Sequence, residues 1–197
     1  MTFLTRIIRL PIAWASISWL LIAWLSIAWA SLAAAAEPWK PAPAPVTTRW
    51  AKDVSPDRTL PEHPRPQMVR DGWQNLNGLW DYAIAPKDGK QPQQFAGQIL
   101  VPFPIESSLS GVMKRVVPSE QIWYRRTFKL DKAWAGKRLL LHFGAVDWRT
   151  TVWVNGERQG EHSGGYDPFG FDITDAIKSD AEQEIVVAVW DPSDAGP

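Results

Sequence analysis

The chain has 197 residues, room for one ordinary domain once its ends are set aside. Its 21 Lys and Arg balance 21 Asp and Glu, which excludes the strongly basic face that a nucleic-acid backbone requires. With no cysteine, disulfide frameworks and thiolate metal sites are excluded, and the fold must be held by burial.

Arg6 and Arg9 precede an apolar run, 10–36, that carries no charged residue and closes on Ala33-Ala34-Ala35-Ala36 before Glu37. A positive start, an apolar stretch and an Ala-x-Ala exit predict a helical signal peptide over residues 1–36, with export to the periplasm or beyond. The run exceeds the roughly 20 residues that span a bilayer, so an uncleaved anchor is the competing reading. No basic stop-transfer cluster follows Ala36, and membrane contact is expected only if the leader is retained. Its removal leaves 19 Lys and Arg against 21 Asp and Glu, a formal charge of −2.

Residues 37–66 hold Pro38, Pro41, Pro43, Pro45, Pro56, Pro61, Pro64 and Pro66. Proline fixes φ and donates no backbone hydrogen bond, so this stretch reads as a Pro-rich linker. It is expected to be a flexible tether to Ala44 and an extended surface segment thereafter.

Residues 67–197 then read as strands. Leu79–Ile84 alternates large apolar side chains with smaller or polar ones, and Gln98–Pro102 is a short apolar run. In Ile122–Leu130, Ile122, Tyr124, Phe128 and Leu130 share one face, while Arg125, Thr127 and Lys129 line the other. Arg138–Phe143 is mostly apolar, and Ile185–Trp190 is apolar on both faces, as a central sandwich strand should be. Thr150–Val154 and Glu157–His162 flank Asn155-Gly156, the strongest short-range hairpin signal. Gly164-Gly165, Pro168 and Gly170 break the chain before Phe171–Thr174, where Thr174 is placed to cap one short turn through Lys178. Short strands, frequent turns and no long amphipathic helix predict an all-β sandwich.

The ordered series from Arg65-Pro66-Gln67-Met68-Val69-Arg70 onward resembles family 2 glycoside hydrolases, the β-galactosidases, β-glucuronidases and β-mannosidases. It runs through Asn75–Asp81, Val101–Ser107, Trp123–Phe128, Leu141–Trp148, Val152–Gly156 and Gly164-Gly165-Tyr166 to Phe171–Thr174. The resemblance implies a jelly-roll, galactose-binding-like domain whose partners are carbohydrate and, within a longer polypeptide, an immunoglobulin-like domain and a (β/α)₈ barrel. In that family the two catalytic glutamates belong to the barrel. The resemblance therefore implies a glycosidase by kinship, with this chain lacking the catalytic residues and, by the same comparison, the last strand of the jelly roll. The function it implies is the non-catalytic sugar-binding part of an exported hydrolase of β-linked carbohydrates. The alternative is a stand-alone carbohydrate-binding module.

Asp81, Glu106, Glu120, Asp147, Glu157, Glu161, Asp167, Asp172 and Asp175 show no acid/base pairing in sequence, and Asp172 and Asp175 read as turn and cap residues. Substrate contact is assigned to Asp147, Trp148, His162, Tyr166 and Asp167. Asp147 offers an acceptor for sugar hydroxyls and Trp148 a flat apolar face. In the structural alternative Asp147 organises a turn and Trp148 packs on the sandwich. Tyr166 and Asp167 lie on a Gly-rich loop, where binding residues gather; that loop's residues also suit a structural corner. Arg126 interrupts an apolar face and is expected to pair with a buried carboxylate or lie at an edge. Trp80, Trp123, Trp153 and Trp190 are read as core. His63, His142 and His162 lack metal-site spacing, and no cofactor is expected.

Overall fold

The computed structural model describes residues 38–60 and 70–192. The expected helical leader, His63 and the Arg65–Val69 part of the resemblance lie outside the described residues. Contacts divide the chain into Met1–Pro38 and Trp39–Pro197, and the second unit holds every element below.

Eight strands follow in order: β1 Gly78–Pro86, β2 Gly97–Val101, β3 Glu120–Phe128, β4 Leu140–Phe143, β5 Arg149–Val154, β6 Glu157–Ser163, β7 Phe169–Asp172 and β8 Gln183–Trp190. Six form one antiparallel sheet in the order β2-β1-β3-β8-β5-β6, and β4 pairs with β7 in a second. The result is a mostly-β sandwich of jelly-roll type. As the sequence predicts, β8 is central: Ile185, Val186, Val187, Ala188 and Val189 are all buried. Its inward residues Ile185, Val187 and Val189 join Ile99, Ile122, Leu141, Val152 and Val154 in the main core. On the other face Val186 and Ala188 pack with Ala83 and Trp123, against which Phe95 and Trp153 lie half-buried. Strand β5 alternates strictly, with Thr150, Val152 and Val154 turned inward.

Of the strand tryptophans, Trp80 is in the main core and donates its indole N–H to Leu76 O at 2.8 Å. Trp123 is buried in the second apolar layer, where it stacks on the half-buried Trp153 at 5.4 Å. Trp190 is half-buried, with Lys87 Nζ 3.5 Å from its ring centroid and an indole bond to Pro118 O.

Some expectations need correction. Strand β4 begins at Leu140 rather than Arg138, because Leu139 N–H is taken by the Thr174 hydroxyl at 2.9 Å and Arg138 turns to Asp172. Thr174 is therefore not the cap of a turn through Lys178; the turn is a single 3-10 segment, Thr174–Ala176, with Ile173 at its N-cap position and Thr174 N–H donating to Asp172 Oδ1 at 3.1 Å. Among the described residues Arg126 meets no carboxylate, and it does not lie at an edge, since β3 runs between β1 and β8. Its Nη1 donates to Leu76 O and Asn77 O at 2.8 and 2.9 Å, satisfying two carbonyls just before β1. The described part of the Pro-rich stretch is not uniformly extended either. Ala51–Asp53 and Pro56–Arg58 form 3-10 turns. Ala42 N–H bonds Ser108 O at 2.9 Å, and Trp39 Nε1 reaches Ser110 O at 3.3 Å, so residues 39–42 are laid onto the body.

The Asn155-Gly156 hairpin has φ of 52° and 87°, the type I′ geometry the dipeptide predicts. Asn155 does more than turn the chain. Its amide N–H₂ donates to Ala176 O and Gln183 Oε1, both at 2.7 Å, and its Oδ1 accepts from Glu184 N–H at 2.9 Å. Gln183, 1% exposed, also donates to Lys178 O and Ala181 O. Hairpin tip and β8 entry are thus one polar knot. Glycine keeps the required φ but removes these bonds. We therefore expect Asn155→Gly to lower unfolding stability by about 1–3 kcal/mol in urea titrations, the cost of stranding buried polar groups. An unchanged midpoint would show that the side chain matters only for φ.

Asp172 accepts from the Thr174 hydroxyl at 2.6 Å and from Arg138 Nε at 2.6 Å, and these bonds, Thr174 first, hold its carboxyl down at about 2. A depressed carboxylate contributes stability that is complete above its unfolded value of about 3.9 and is lost as pH falls towards 2. The melting midpoint of Asp172→Asn should lie below the parent's at pH 6 and converge on it near pH 2; a constant gap would contradict the titration.

Candidate functional site at one end of the sandwich

Two connections meet at one end of the sandwich: residues 144–148, between β4 and β5, and residues 164–168, between β6 and β7. Gly164 N–H donates to Trp148 O at 3.1 Å and ties them together. The end of β8 arrives beside them, since Arg149 pairs with Trp190 in register and Asp191 follows.

The glycines of the second connection are explained by side chains as well as by backbone freedom. Gly164 has φ of +137°, and a Cβ there would lie 3.4 Å from His162 Nε2 and 3.8 Å from Asp167 Oδ2. At Gly165 a Cβ would sit 2.5 Å from Asp147 Oδ1 and 2.6 Å from its Cγ, closer than real contacts allow. Glycine at 165 is what lets the Asp147 carboxylate lie against the turn. Partial desolvation, and then the neighbouring Asp191 charge, raise the Asp147 pKa above the ordinary carboxylate value.

Of the five residues assigned to substrate contact, three face outward here. Tyr166 is 93% exposed, and Asp147 and Asp167 are exposed on either side of the turn. Trp148 is half-buried immediately before β5. His162 lies in an aromatic stack: its ring is 4.2 Å from Phe169, which is 4.8 Å from Phe143 and edge-on to Phe171. Gly160 leaves room for Phe171, whose ring a Cβ would meet at 2.3 Å. His162 Nε2 is buried without a hydrogen-bond partner, and so is Oγ1 of Thr150, its cross-strand neighbour. Trp73 Nε1, Asn77 Nδ2 and Trp123 Nε1 are buried without a partner as well.

The sequence reading passed over Gly165 as a partner of Asp147, and over Thr150 and Asp191. Only for Asp191 was a signal present: it follows the last residue of the one strand apolar on both faces. His142 is exposed and stacks on Trp73 at 5.7 Å, a surface role.

Several of the other carboxylates have structural partners. Asp81 binds Arg125 at 2.7 Å, Glu120 accepts from Val117 N–H, and Glu161 accepts from Thr151 and Arg158. Among the described residues no group of three His, Cys, Asp or Glu could hold a metal ion. An open groove of about 320 Å³ lies elsewhere, lined by residues of 44–51 and 107–113, and includes none of the five.

Comparison with known proteins agrees with this architecture. Residues 99–196 match the sugar binding domain of glycosyl hydrolases family 2. A β-glucuronidase of Paenibacillus borealis is 27% identical over 132 residues, 64% of this chain and 22% of that protein. A β-galactosidase of Thermoanaerobacter pseudethanolicus is 54% identical over 56 residues, 28% of this chain and 8% of its own length. Among solved structures, a Faecalibacterium prausnitzii β-glucuronidase superposes with a TM-score of 0.51 at 28% identity, covering 60% of this chain and 20% of that one. The chain thus spans about a fifth of the length of the β-glucuronidases it matches.

The raised pKa of Asp147 has a thermodynamic consequence. A carboxyl whose folded value exceeds its unfolded value favours folding most at low pH and opposes it as pH rises through the folded value. Asp147→Asn should therefore raise the melting midpoint at pH 7 and leave it unchanged near pH 3. A destabilising effect at pH 7 would mean that the ionised carboxylate supports the loop.

Proposed function

Residues 99–196 being a sugar-binding domain of glycosyl hydrolases family 2, we propose that the chain binds carbohydrate without cleaving it, at the loop end made by residues 144–148 and 164–168. The observation that carries this is Tyr166, 93% exposed on the connection that also bears the exposed Asp167 and against which the exposed Asp147 lies. A solvent-facing aromatic costs apolar exposure that folding does not require, and it matches the C–H face of a pyranose. Ionised carboxylates are acceptors only, suited to the hydroxyl donors around such a ring.

Absence of hydrolysis is part of the proposal. Glycosidic cleavage needs two carboxyl groups flanking the bond, about 5–5.5 Å apart for retention and about 6.5–9.5 Å for inversion. Asp81, Glu120, Glu161 and Asp172 are held by structural partners, and Asp147 and Asp167 at the loop end are exposed.

A second reading, that the domain is the non-catalytic part of a longer exported hydrolase of β-linked carbohydrates, is favoured by the fifth of the β-glucuronidases' length that the chain spans. Extension of the reading frame into a barrel with two glutamates would distinguish it from a stand-alone module.

Titration of the chain with methyl β-pyranosides should give saturable binding that Tyr166→Ala weakens about tenfold, or 1.4 kcal/mol. Chromogenic β-glycosides should remain uncleaved. Binding unaffected by Tyr166→Ala would move the site elsewhere, and turnover above background would end the non-catalytic reading.

A further inference from the structure

The N-terminal part of the described chain is fastened to a corner, residues 107–111, that its own hydrogen bonds hold in shape. Ser107 Oγ accepts from Leu109 N–H at 3.2 Å. Ser110, 0% exposed, donates its hydroxyl to Ser107 O at 2.7 Å and accepts from Val112 N–H at 3.0 Å. Gly111 closes the turn at φ of 82° and gives its N–H to Ser108 O at 3.0 Å. Against this corner lie Trp39 and Ala42, both half-buried, while Lys40, Pro41 and Pro43 are exposed. The Trp39 indole fills the space that a side chain at 111 would need, since a Cβ there would fall 2.5 Å from Nε1 and 2.9 Å from Cδ1. Nε1 itself reaches Ser110 O at 3.3 Å. Ala42 is bonded through both of its backbone groups: its N–H donates to Ser108 O at 2.9 Å, and its carbonyl accepts from the Ser108 hydroxyl. Pro41 and Pro43 have no N–H, so Ala42 carries the one backbone donor of 41–43, and the corner takes it. Prolines on either side also reduce the freedom lost on docking.

We propose that residues 107–111 are a peptide-recognition site whose ligand is a Trp-x-Pro-Ala-Pro segment, filled in cis by Trp39–Pro43 as a releasable latch. Gly111 and Ser110 O read the indole, and Ser108 reads the donor and acceptor of Ala42. The chain beyond is built as a tether. Among the described residues, 43–54 makes hydrogen bonds only within itself, and part of it flanks the open groove of about 320 Å³. The chain is fastened again at Leu60, whose carbonyl accepts from Asn75 Nδ2 at 3.0 Å. Trp50 supplies an internal contrast: it is followed by Ala51-Lys52-Asp53 rather than by prolines, and it is 61% exposed. The site is independent of the sugar-binding reading, since no residue of 144–148 or 164–168 takes part.

The test uses the full chain and a fluorescent synthetic peptide of residues 37–46, with binding read from anisotropy and folding from the melting midpoint. A tethered segment has an effective concentration on the order of 1 mM, so a latch closed about nine-tenths of the time needs a Kd in trans of about 0.1 mM or below. Trp39→Ala, which frees the corner, should bind the peptide with that affinity. The parent should bind it about tenfold more weakly, because its own segment competes. Replacing the peptide's tryptophan by alanine should abolish binding. Ser108→Ala, added to Trp39→Ala, should weaken it about fivefold, as loss of one hydrogen bond does. In the parent, the Ala42 amide should exchange with deuterium about tenfold more slowly than the same amide of the free peptide, a measurement that stands even if Trp39→Ala fails to fold. Equal peptide affinity of the parent and folded Trp39→Ala would place the peptide elsewhere and overturn the assignment. So would no binding to folded Trp39→Ala at 1 mM peptide, or an Ala42 amide that exchanges at the free-peptide rate.

Discussion

The fold depends on one strand that is buried on both faces. β8 contributes Ile185, Val187 and Val189 to the core between the sheets and Val186 and Ala188 to the layer outside, so neither face can be turned to water. That double burial fixes register: a slip of one residue would exchange the two sets and leave Gln183 without its knot to Asn155, Lys178 and Ala181. In a chain without cysteine, no covalent staple relieves this requirement. Strands β3 and β5 take their positions from β8, and the loops at their ends follow.

What the sequence made legible is what local rules decide. Asn155-Gly156 announces its turn because φ above zero is a property of the residues themselves. The unbroken apolar run of β8 announces a central strand, because only two-sided burial tolerates it. What it hid depends on partners distant along the chain. Arg126 looked like half of an ion pair, but two backbone carbonyls just before β1 satisfy it. Thr174 looked like a cap, but its hydroxyl serves Leu139, 35 residues earlier. Tryptophan on a strand reads as core, and Trp80 and Trp123 are both buried, but in different apolar layers, because periodicity cannot say which of two layers a residue joins.

The candidate site shows the same division. A Gly-rich loop with aromatics could be read as a binding loop from composition, and Tyr166 is indeed turned to solvent. His162 shares that stretch but stacks beneath it on Phe169, since β6 carries it and strand alternation turns it inward beside Thr150. The pairing of Gly165 with Asp147 spans 18 residues and two connections, and no spacing rule anticipates it.

The acidic turn is hard to explain by folding. The sheets are held by β8 and its neighbours, so the connections 144–148 and 164–168 are free to carry groups that contribute nothing to stability. Asp147 is such a group: its ionised form is opposed by desolvation and by Asp191, and a neutral side chain of the same shape would suit the fold better. Tyr166 likewise exposes a ring that a polar residue could replace at no cost to packing. Where a loop keeps side chains that the scaffold would be more stable without, ligand chemistry is the remaining physical reason for their presence. That reasoning, rather than the names of the relatives, is what motivates the proposal of sugar recognition at this end of the sandwich.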